Sequence, residues 1–320
     1  MTPPHIAVVG SLNMDLVIRT PRFPSPGETI IGRDFHTIPG GKGANQAVAA
    51  ARLGARVSMV GRVGDDGFGA QQLANLSGLG IDVSHIRRDP GAATGVALIA
   101  VDEGGQNSII LASGANMRLA PADVEAAEEA IASAALLLLQ LEVPLEVVEQ
   151  AAALARAHGV TVVLNPAPAR ELPPSLLRQV DFLIPNESET ALLTGVQVED
   201  MEAARQAATR LRTAGVGTVI LTLGERGALL VDRMQATHIP GFQVEVVDTT
   251  AAGDAFVGGF AVALAEKQSL TEAVRFANAA GALAVTRLGA QPSLPTRVEV
   301  EAFLRAMSSG AGLGSPAGAT

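Results

Sequence analysis

From residue 121 onward the chain alternates two kinds of segment, and that alternation leaves few architectures open. Helix-patterned stretches (Pro121–Ser133, Leu145–Ala157, Met201–Ala214) are separated by short apolar runs at Ala135–Leu141, Thr161–Asn165, Phe182–Pro185 and Thr218–Leu223. A run apolar at nearly every position is a strand covered on both faces. Spacing such strands by helices of roughly 10–15 residues gives βαβ units and a parallel sheet. The pattern specifies an α/β chain, three-layer αβα around a mostly parallel central sheet. Each apolar run ends in polar or turn-forming residues: Glu142, Asn165-Pro166, Asn186-Glu187 and Gly224-Glu225. In open α/β sheets the carboxyl ends of the strands form the ligand crevice, so chemistry is expected there.

The N-terminal part is less regular. His5–Leu12 reads as a buried strand ending at Gly10-Ser11, followed by β-branched segments at Leu16–Thr20 and Thr29–Ile38 with Pro21, Pro24, Pro26 and Gly27 between them. A second such pair is Thr94–Val101 and Asn107–Leu111, joined by the turn Asp102-Glu103-Gly104-Gly105. These four short strands, in segments 13–40 and 94–112, are expected to form a small separate sheet. Between the pairs lie an alanine-rich helix at Gly43–Leu53 ended by Gly54, a strand at Val57–Val63 and a helix at Phe68–Leu79. Helices at Ala252–Ala265, Leu270–Thr286 and Arg297–Met307 close a single domain spanning residues 1–307. Residues 308–320 carry no charged side chain and are almost wholly Gly, Ser, Ala and Pro, the composition of a disordered tail.

Composition excludes several classes. At 320 residues and 48% apolar the chain can bury a sizeable core. The 23 basic against 32 acidic side chains, net −9, argue against a nucleic-acid binder, which needs a clustered positive surface. They do not argue against a phosphate substrate, since a few N–H groups hold an anion inside an acidic protein. With no cysteine, disulfides, thiolate catalysis and Cys-ligated zinc are all absent. There is no tryptophan or tyrosine to stack single-stranded bases. The start runs directly into strand-like sequence without a signal peptide, and apolar runs such as Ala134–Leu139 fall far short of the ~20 residues a membrane span needs. A cytoplasmic protein is the expectation.

Two small-residue stretches can hold an anion. Gly40-Gly41-Lys42-Gly43-Ala44-Asn45 opens a helix, where adjacent glycines permit close approach to free N–H groups at the positive dipole end. It is not a Walker A loop, because Lys42 is followed by Gly43 rather than Ser or Thr. The plain alternative is a tight strand-to-helix turn. Only two of the 23 basic residues are lysines, and one of them is here, where a compact point charge suits better than a guanidinium fork. The second stretch runs Asp248-Thr249-Thr250-Ala251-Ala252-Gly253-Asp254 into a helix whose Phe256, Phe260 and Leu264 share a face. Its small residues leave N–H donors aimed into open space. Asp254 alone would read as an acid favourable to the helix dipole. Beside an anion hole, it can instead accept the proton of an alcohol attacking phosphorus.

These two stretches resemble the paired signatures of the ribokinase-like carbohydrate kinase superfamily. Asn13-Met14-Asp15, Asn165-Pro166-Ala167-Pro168-Ala169-Arg170, Pro185–Glu189 and Gly289-Ala290-Gln291-Pro292-Ser293 are similar to further motifs of that family, in the same order, over residues 5–307. The resemblance implies ATP-dependent phosphorylation of D-ribose at its 5-hydroxyl, giving ribose 5-phosphate and ADP. It makes Asp254 the general base, and Ala251, Ala252 and Gly253 the anion hole for the γ-phosphoryl group. It places Asn13, Asp15, Gly41, Lys42, Asn45 and Glu142 on the sugar. It assigns Asn186 and Glu189 to the phosphates and, indirectly, Mg²⁺, and it assigns Thr222, Gly224, Arg226, Gly227, Gly253 and Asn278 to ATP. A K⁺ site fed mainly by carbonyls is implied at Asp248, Thr250, Ala284, Arg287, Gly289 and Ser293. The small sheet becomes a lid over the sugar, and two lids would pack as a homodimer. For the apolar runs Val96–Val101 and Ile109–Leu111, simple packing on the body is the alternative. For Glu189, the alternative is an ordinary surface helix residue.

Two rivals stay open at this level. One is a sibling kinase for deoxyribose, fructose, a keto-deoxy sugar acid or a nucleoside such as adenosine. The other is an inactive homologue that senses sugar. A Rossmann-type dehydrogenase is excluded, since no G-x-G-x-x-G follows the first strand at Gly10.

Overall fold

His5–Val9 (β1) is buried throughout, and its alternate side chains serve opposite layers: Ile6 and Val8 join one core, Ala7 and Val9 the other. The period of two along a strand makes this unavoidable once helices cover both faces. The structure, a computed structural model, describes residues 2–308. The remaining strands are Asn13–Arg19 (β2), Arg33–Gly40 (β3), Arg56–Gly64 (β4), Asp82–Asp89 (β5), Gly95–Val101 (β6) and Asn107–Ala112 (β7). They continue with Leu136–Leu139 (β8), Thr161–Leu164 (β9), Phe182–Leu183 (β10), Thr218–Thr222 (β11), Ala228–Val231 (β12) and Ala236–Ile239 (β13).

Nine strands form the central sheet in the order β13-β12-β11-β10-β9-β8-β1-β4-β5. The seven from β11 to β5 are mutually parallel, and β12 and β13 fold back antiparallel at one edge. One face carries the helices Lys42–Arg52, Ala252–Ala265 and Leu270–Ala284 over a core containing Phe256, Phe260 and Phe276. The other carries Leu145–Ala157 and Met201–Thr213 over Val147, Val148, Ala204 and Leu211. The three layers read from the sequence are therefore present. A separate four-stranded sheet has the order β3-β2-β6-β7, with β2 and β6 parallel at its centre.

Several boundaries differ from expectation. The stretch Pro121–Ser133 breaks into two short helices, Pro121–Glu125 and Glu128–Ala132. The strand expected at Thr29–Ile38 starts only at Arg33 and runs on to Gly40. β5, β12, β13 and the helix Glu187–Thr194 were not anticipated. Ser308, placed with the tail from sequence, closes the last helix and donates its hydroxyl to the Leu304 carbonyl. The rest of the expected tail lies outside the described residues. No helix among the described residues is long and apolar enough to cross a membrane.

Candidate active site

Polar residues stand at or within three positions of the carboxyl ends of β1 (Ser11), β8 (Gln140), β9 (Asn165), β10 (Asn186) and β11 (Thr222), the edge where the sequence pattern locates a crevice. Against this edge, β3 runs into the helix Lys42–Arg52 through Gly41, whose φ of 93° disfavours any side chain. A Cβ on Gly41 would stand 2.6 Å from the Asn13 nitrogen, and one on Gly43 would stand 2.6 Å from the Ser11 nitrogen. The two glycines let the helix start press onto the turn after β1, where the Ala44 N–H donates to the Ser11 carbonyl at 2.9 Å.

That contact brings Glu142 into reach. Its Oε2 accepts from the Ser11 hydroxyl at 2.5 Å, and from the Asn13 amide and the Lys42 N–H at 3.2 Å each. Asn116 fixes Asn13 in turn, donating to Asn13 Oδ1 at 2.7 Å while exchanging bonds with the Leu12 backbone. Asp15 is buried nearby. Burial, then the charges of Glu142 and Asp254, push its carboxyl up to about 7.

Asp254 lies in the first turn of Ala252–Ala265 and is only 6% exposed. A carboxylate serving only the helix dipole commonly faces water, and this one does not. Its Oδ2 accepts from the Asn45 amide and its Oδ1 from the Gln46 amide, both at 3.0 Å. Burial drives its proton affinity up, while the Lys42 charge and these two amides oppose it. For Lys42, burial works against the charge, but Asp254, Glu142 and Glu189 outweigh it and hold the ammonium above its usual range. Lys42 is protonated at neutral pH.

Ala251 caps the helix in the left-handed region, at φ 60°. The Ala252 N–H reaches the Thr249 carbonyl at 3.3 Å, but those of Gly253 and Asp254 meet no partner among the described residues. A Cβ on Gly253 would touch nothing within 4 Å. The free donors therefore open onto space, a cavity of 210 Å³ lined by Lys42, Asn165, Asn186, Glu189 and Asp254 among others. Asn186, Thr222 and Gly253 also line an adjoining cavity of 550 Å³ that extends past Gly224, Gly227 and Asn278. An anion with an apolar-lined extension fits this pair of cavities.

Asn186 and Glu189 form a capping box: Asn186 Oδ1 accepts from the Glu189 N–H at 2.8 Å, and Glu189 Oε2 from the Asn186 N–H at 2.9 Å. Glu189 is buried rather than a surface residue, and burial outweighs the Asn186 N–H and Lys42 to raise its proton affinity. Arg226 is less central, since its guanidinium pairs with Glu187 and it does not line the larger cavity. The Asn278 amide donates to the Ile239 and Pro240 carbonyls, leaving its oxygen for that cavity.

The loops expected to hold a cation are bound to one another. Asp248 Oδ1 accepts from the Thr250 hydroxyl at 2.6 Å, and its Oδ2 from the Gly289 N–H at 2.8 Å. Burial pushes the Asp248 carboxyl up, but these donors together hold it below the usual range, so it is an anion. Arg287 contributes only backbone here, its side chain being engaged by Glu299. The Ser293 hydroxyl bonds the Ala290 carbonyl, and the Ala284 carbonyl accepts from the Arg287 N–H. No group of three or more His, Cys, Asp or Glu side chains is placed to hold a metal among the described residues. One carboxylate among carbonyls fits a weakly hydrated monovalent ion, not a site for a divalent one.

Ser11, Gln46, Asn116, Gln140 and Asn165 also build the site but were not singled out as site residues from the sequence. Ser11 and Asn165 lie at strand ends the sequence marks, Asn165 also in a family-like motif, and Gln46 is adjacent to Asn45 in the helix-opening motif; Asn116 and Gln140 carry no such signal.

Comparison with known proteins adds three findings. A family model described as "pfkB family carbohydrate kinase" matches residues 3–297. A ribokinase of Haemophilus influenzae is 48% identical over 93% of this chain and 98% of its own length, and a deoxyribokinase of Salmonella typhi is 42% identical over 93% and 98%. The solved structure of Arabidopsis thaliana ribokinase complexed with ribose and ATP superposes with a TM-score of 0.88 at 37% identity, covering 95% of this chain and 99% of that one.

Proposed function

The chain belongs to the pfkB family of carbohydrate kinases, and on that footing we propose that it transfers the γ-phosphoryl group of ATP to the 5-hydroxyl of D-ribose. The products are ribose 5-phosphate and ADP. The observation that carries this reading is Asp254, buried between the Asn13–Asp15–Glu142 cluster on one side and the unbonded N–H groups of Gly253 and Asp254 on the other.

Asn13, Asp15, Lys42, Asn45 and Glu142 bind the sugar hydroxyls, and Asp254 takes the proton of the attacking one. The free N–H groups of Gly253 and Asp254, at the helix start formed by Ala251–Gly253, hold the migrating phosphoryl group, so the rate derives from placement and charge stabilisation. The larger cavity takes the nucleotide, with Thr222, Gly224, Gly227 and Asn278 on its wall and Arg226 behind the turn. Asn186 and Glu189 would face the phosphates and, indirectly, a Mg²⁺ entering with ATP, which would neutralise phosphate charge. Asp248 and the carbonyls of Thr250, Ala284, Arg287, Gly289 and Ser293 would hold a K⁺, which would supply a fixed positive charge near the anion hole. Residues 1–307 form one domain in this reading, with the small sheet as its lid.

A sugar panel assayed by ADP release, with Mg²⁺ and either K⁺ or Na⁺, tests the substrate and the cation together. Ribose is expected to give the highest kcat/KM, and K⁺ to exceed Na⁺. Preference for 2-deoxyribose, the substrate class of the Salmonella typhi relative, or for fructose overturns the ribose assignment. Equal rates in both salts remove the cation site, and no turnover at all revives the inactive sensor.

The lid also has a face with no cover among the described residues. Strand register puts Leu16, Ile18, Phe35, Leu98 and Ile110 on one side of the sheet, opposite the side where Asp15, Val17 and Ile99 border the cleft. Phe35, Leu98 and Ile110 are 61%, 50% and 66% exposed, so packing on the body does not account for them. This reading pairs that face with a second copy. Light scattering is expected to give twice the 32.6 kDa chain mass, and a monomer at assay concentration ends the dimer proposal.

A further inference from the structure

Two glutamines stand behind the candidate base. Gln46 is wholly buried, and its Nε2 donates to Asp254 Oδ1 at 3.0 Å and to Asn165 Oδ1 at 3.2 Å. An ionised carboxylate only accepts, so the Gln46 amide must present nitrogen to Asp254 and oxygen the other way. That oxygen is met by Gln140 Nε2 at 2.6 Å. Gln140 is also wholly buried, and its own Oε1 has no partner among the described residues. It lies across Gly10, where a Cβ would stand 2.0 Å from Oε1. The backbone is thus bare where this amide passes, and the amide is turned nitrogen-first toward Gln46 although its oxygen goes unbonded. Asn165 adds a second constraint, donating to the Ile184 carbonyl at 2.9 Å so that its oxygen must face Gln46.

We propose that Gln46 is a positioning residue for Asp254, and that Gln140 sets which end of the Gln46 amide faces that carboxylate. The inference rests on the reading of Asp254 as the base. Neither glutamine touches the sugar in that reading; both act through the carboxylate. With Asn45 on Oδ2 and Gln46 on Oδ1, the carboxylate plane is fixed and its ionised form favoured. The charged groups facing Asp254 come from four other elements: Lys42 at the first helix, Asp15 on β2, Glu142 after β8 and Glu189 after β10. Three of these four are acidic and work against ionisation, and the two amides act with Lys42 to favour it.

The test is Gln46→Met, similar in length but without a donor, assayed as a function of pH beside Asp254→Asn. We expect kcat to fall roughly ten- to a hundredfold with the ribose KM changing less than about threefold. The acid limb of kcat should move up by about one pH unit, the scale of one lost charge-assisted hydrogen bond. An unmoved acid limb, or a loss confined to KM, overturns the proposal. If Gln46→Met shows no cooperative melt, Gln140→Met is read the same way, with a smaller shift expected in the same direction and an unmoved limb again overturning it. Turnover retained in Asp254→Asn would bring down the base assignment itself; turnover lost there with Gln46→Met unaffected brings down only the relay.

Discussion

Asp254→Asn is expected to bind ribose and lose turnover by about 10²–10⁴-fold, the range general-base catalysis supplies. The substitution keeps the shape of the side chain, and Ser11, Asn13 and the Lys42 N–H bond Glu142 rather than Asp254, while Asn45 bonds Asp254 directly. What disappears is the acceptor proposed to take the proton of the attacking hydroxyl. Stability should move the other way. Burial raises the Asp254 proton affinity, so the folded state disfavours its charge, and a neutral amide removes that penalty above the ordinary carboxylate range. A melting temperature at pH 7 equal to or above the parent is therefore expected. Initial rates combined with calorimetric titration of ribose decide the matter. Near-parental turnover would exclude Asp254 as the base.

Asp15→Asn should weaken ribose kcat/KM by about 10–100-fold, since a charged acceptor for sugar hydroxyls becomes a neutral one. It should also change the pH profile. With its carboxyl raised from 3.8 to about 7, Asp15 is half protonated near neutrality in the free protein. Ribose kcat/KM in the parent should then rise as pH passes through about 7, and the variant should lose that limb while keeping the one belonging to Asp254. The linkage sign follows from the same shift. The folded state holds a proton that the unfolded state has released, so Asp15 subtracts stability progressively from 3.8 to about 7 and fully above it. The variant should accordingly melt higher than the parent at alkaline pH and alike below the ordinary carboxylate range. A parental ribose affinity indifferent to pH across neutrality would contradict both expectations.

The parts of the fold legible in the sequence were those buried on both faces. β8, β9 and β11 are apolar at nearly every position because helices cover them above and below. β5, with the sequence DVSHIRRD, is an edge strand with five exposed or half-exposed polar positions breaking any simple alternation. β12 follows Gly227 so closely that the turn masked the strand, and Asn-Glu-Ser-Glu at 186–189 looks like a loop until its capping box is seen. The candidate site divides similarly. Lys42, Asp248 and Asp254 sit in stretches whose spacing carries a local physical meaning. Gln46 and Gln140 do not: a lone glutamine in an alanine-rich helix or a leucine run has no periodic signature. Their contact joins positions 94 residues apart and exists only once β1 and β8 are side by side.

The order of strands also separates two jobs. Every residue assigned to the sugar before the base lies within the first 142 positions, on the β1–β4 side of β8 or in the small sheet, whereas the cavity wall assigned to the nucleotide begins at Asn186 and belongs to β10, β11 and the later helices. Asp254 and Lys42 stand at the seam, in the cavity they share with Asn186 and Glu189. On the proposed reading, substitutions confined to the first half of the chain can retune acceptor preference without touching the wall that takes the nucleotide.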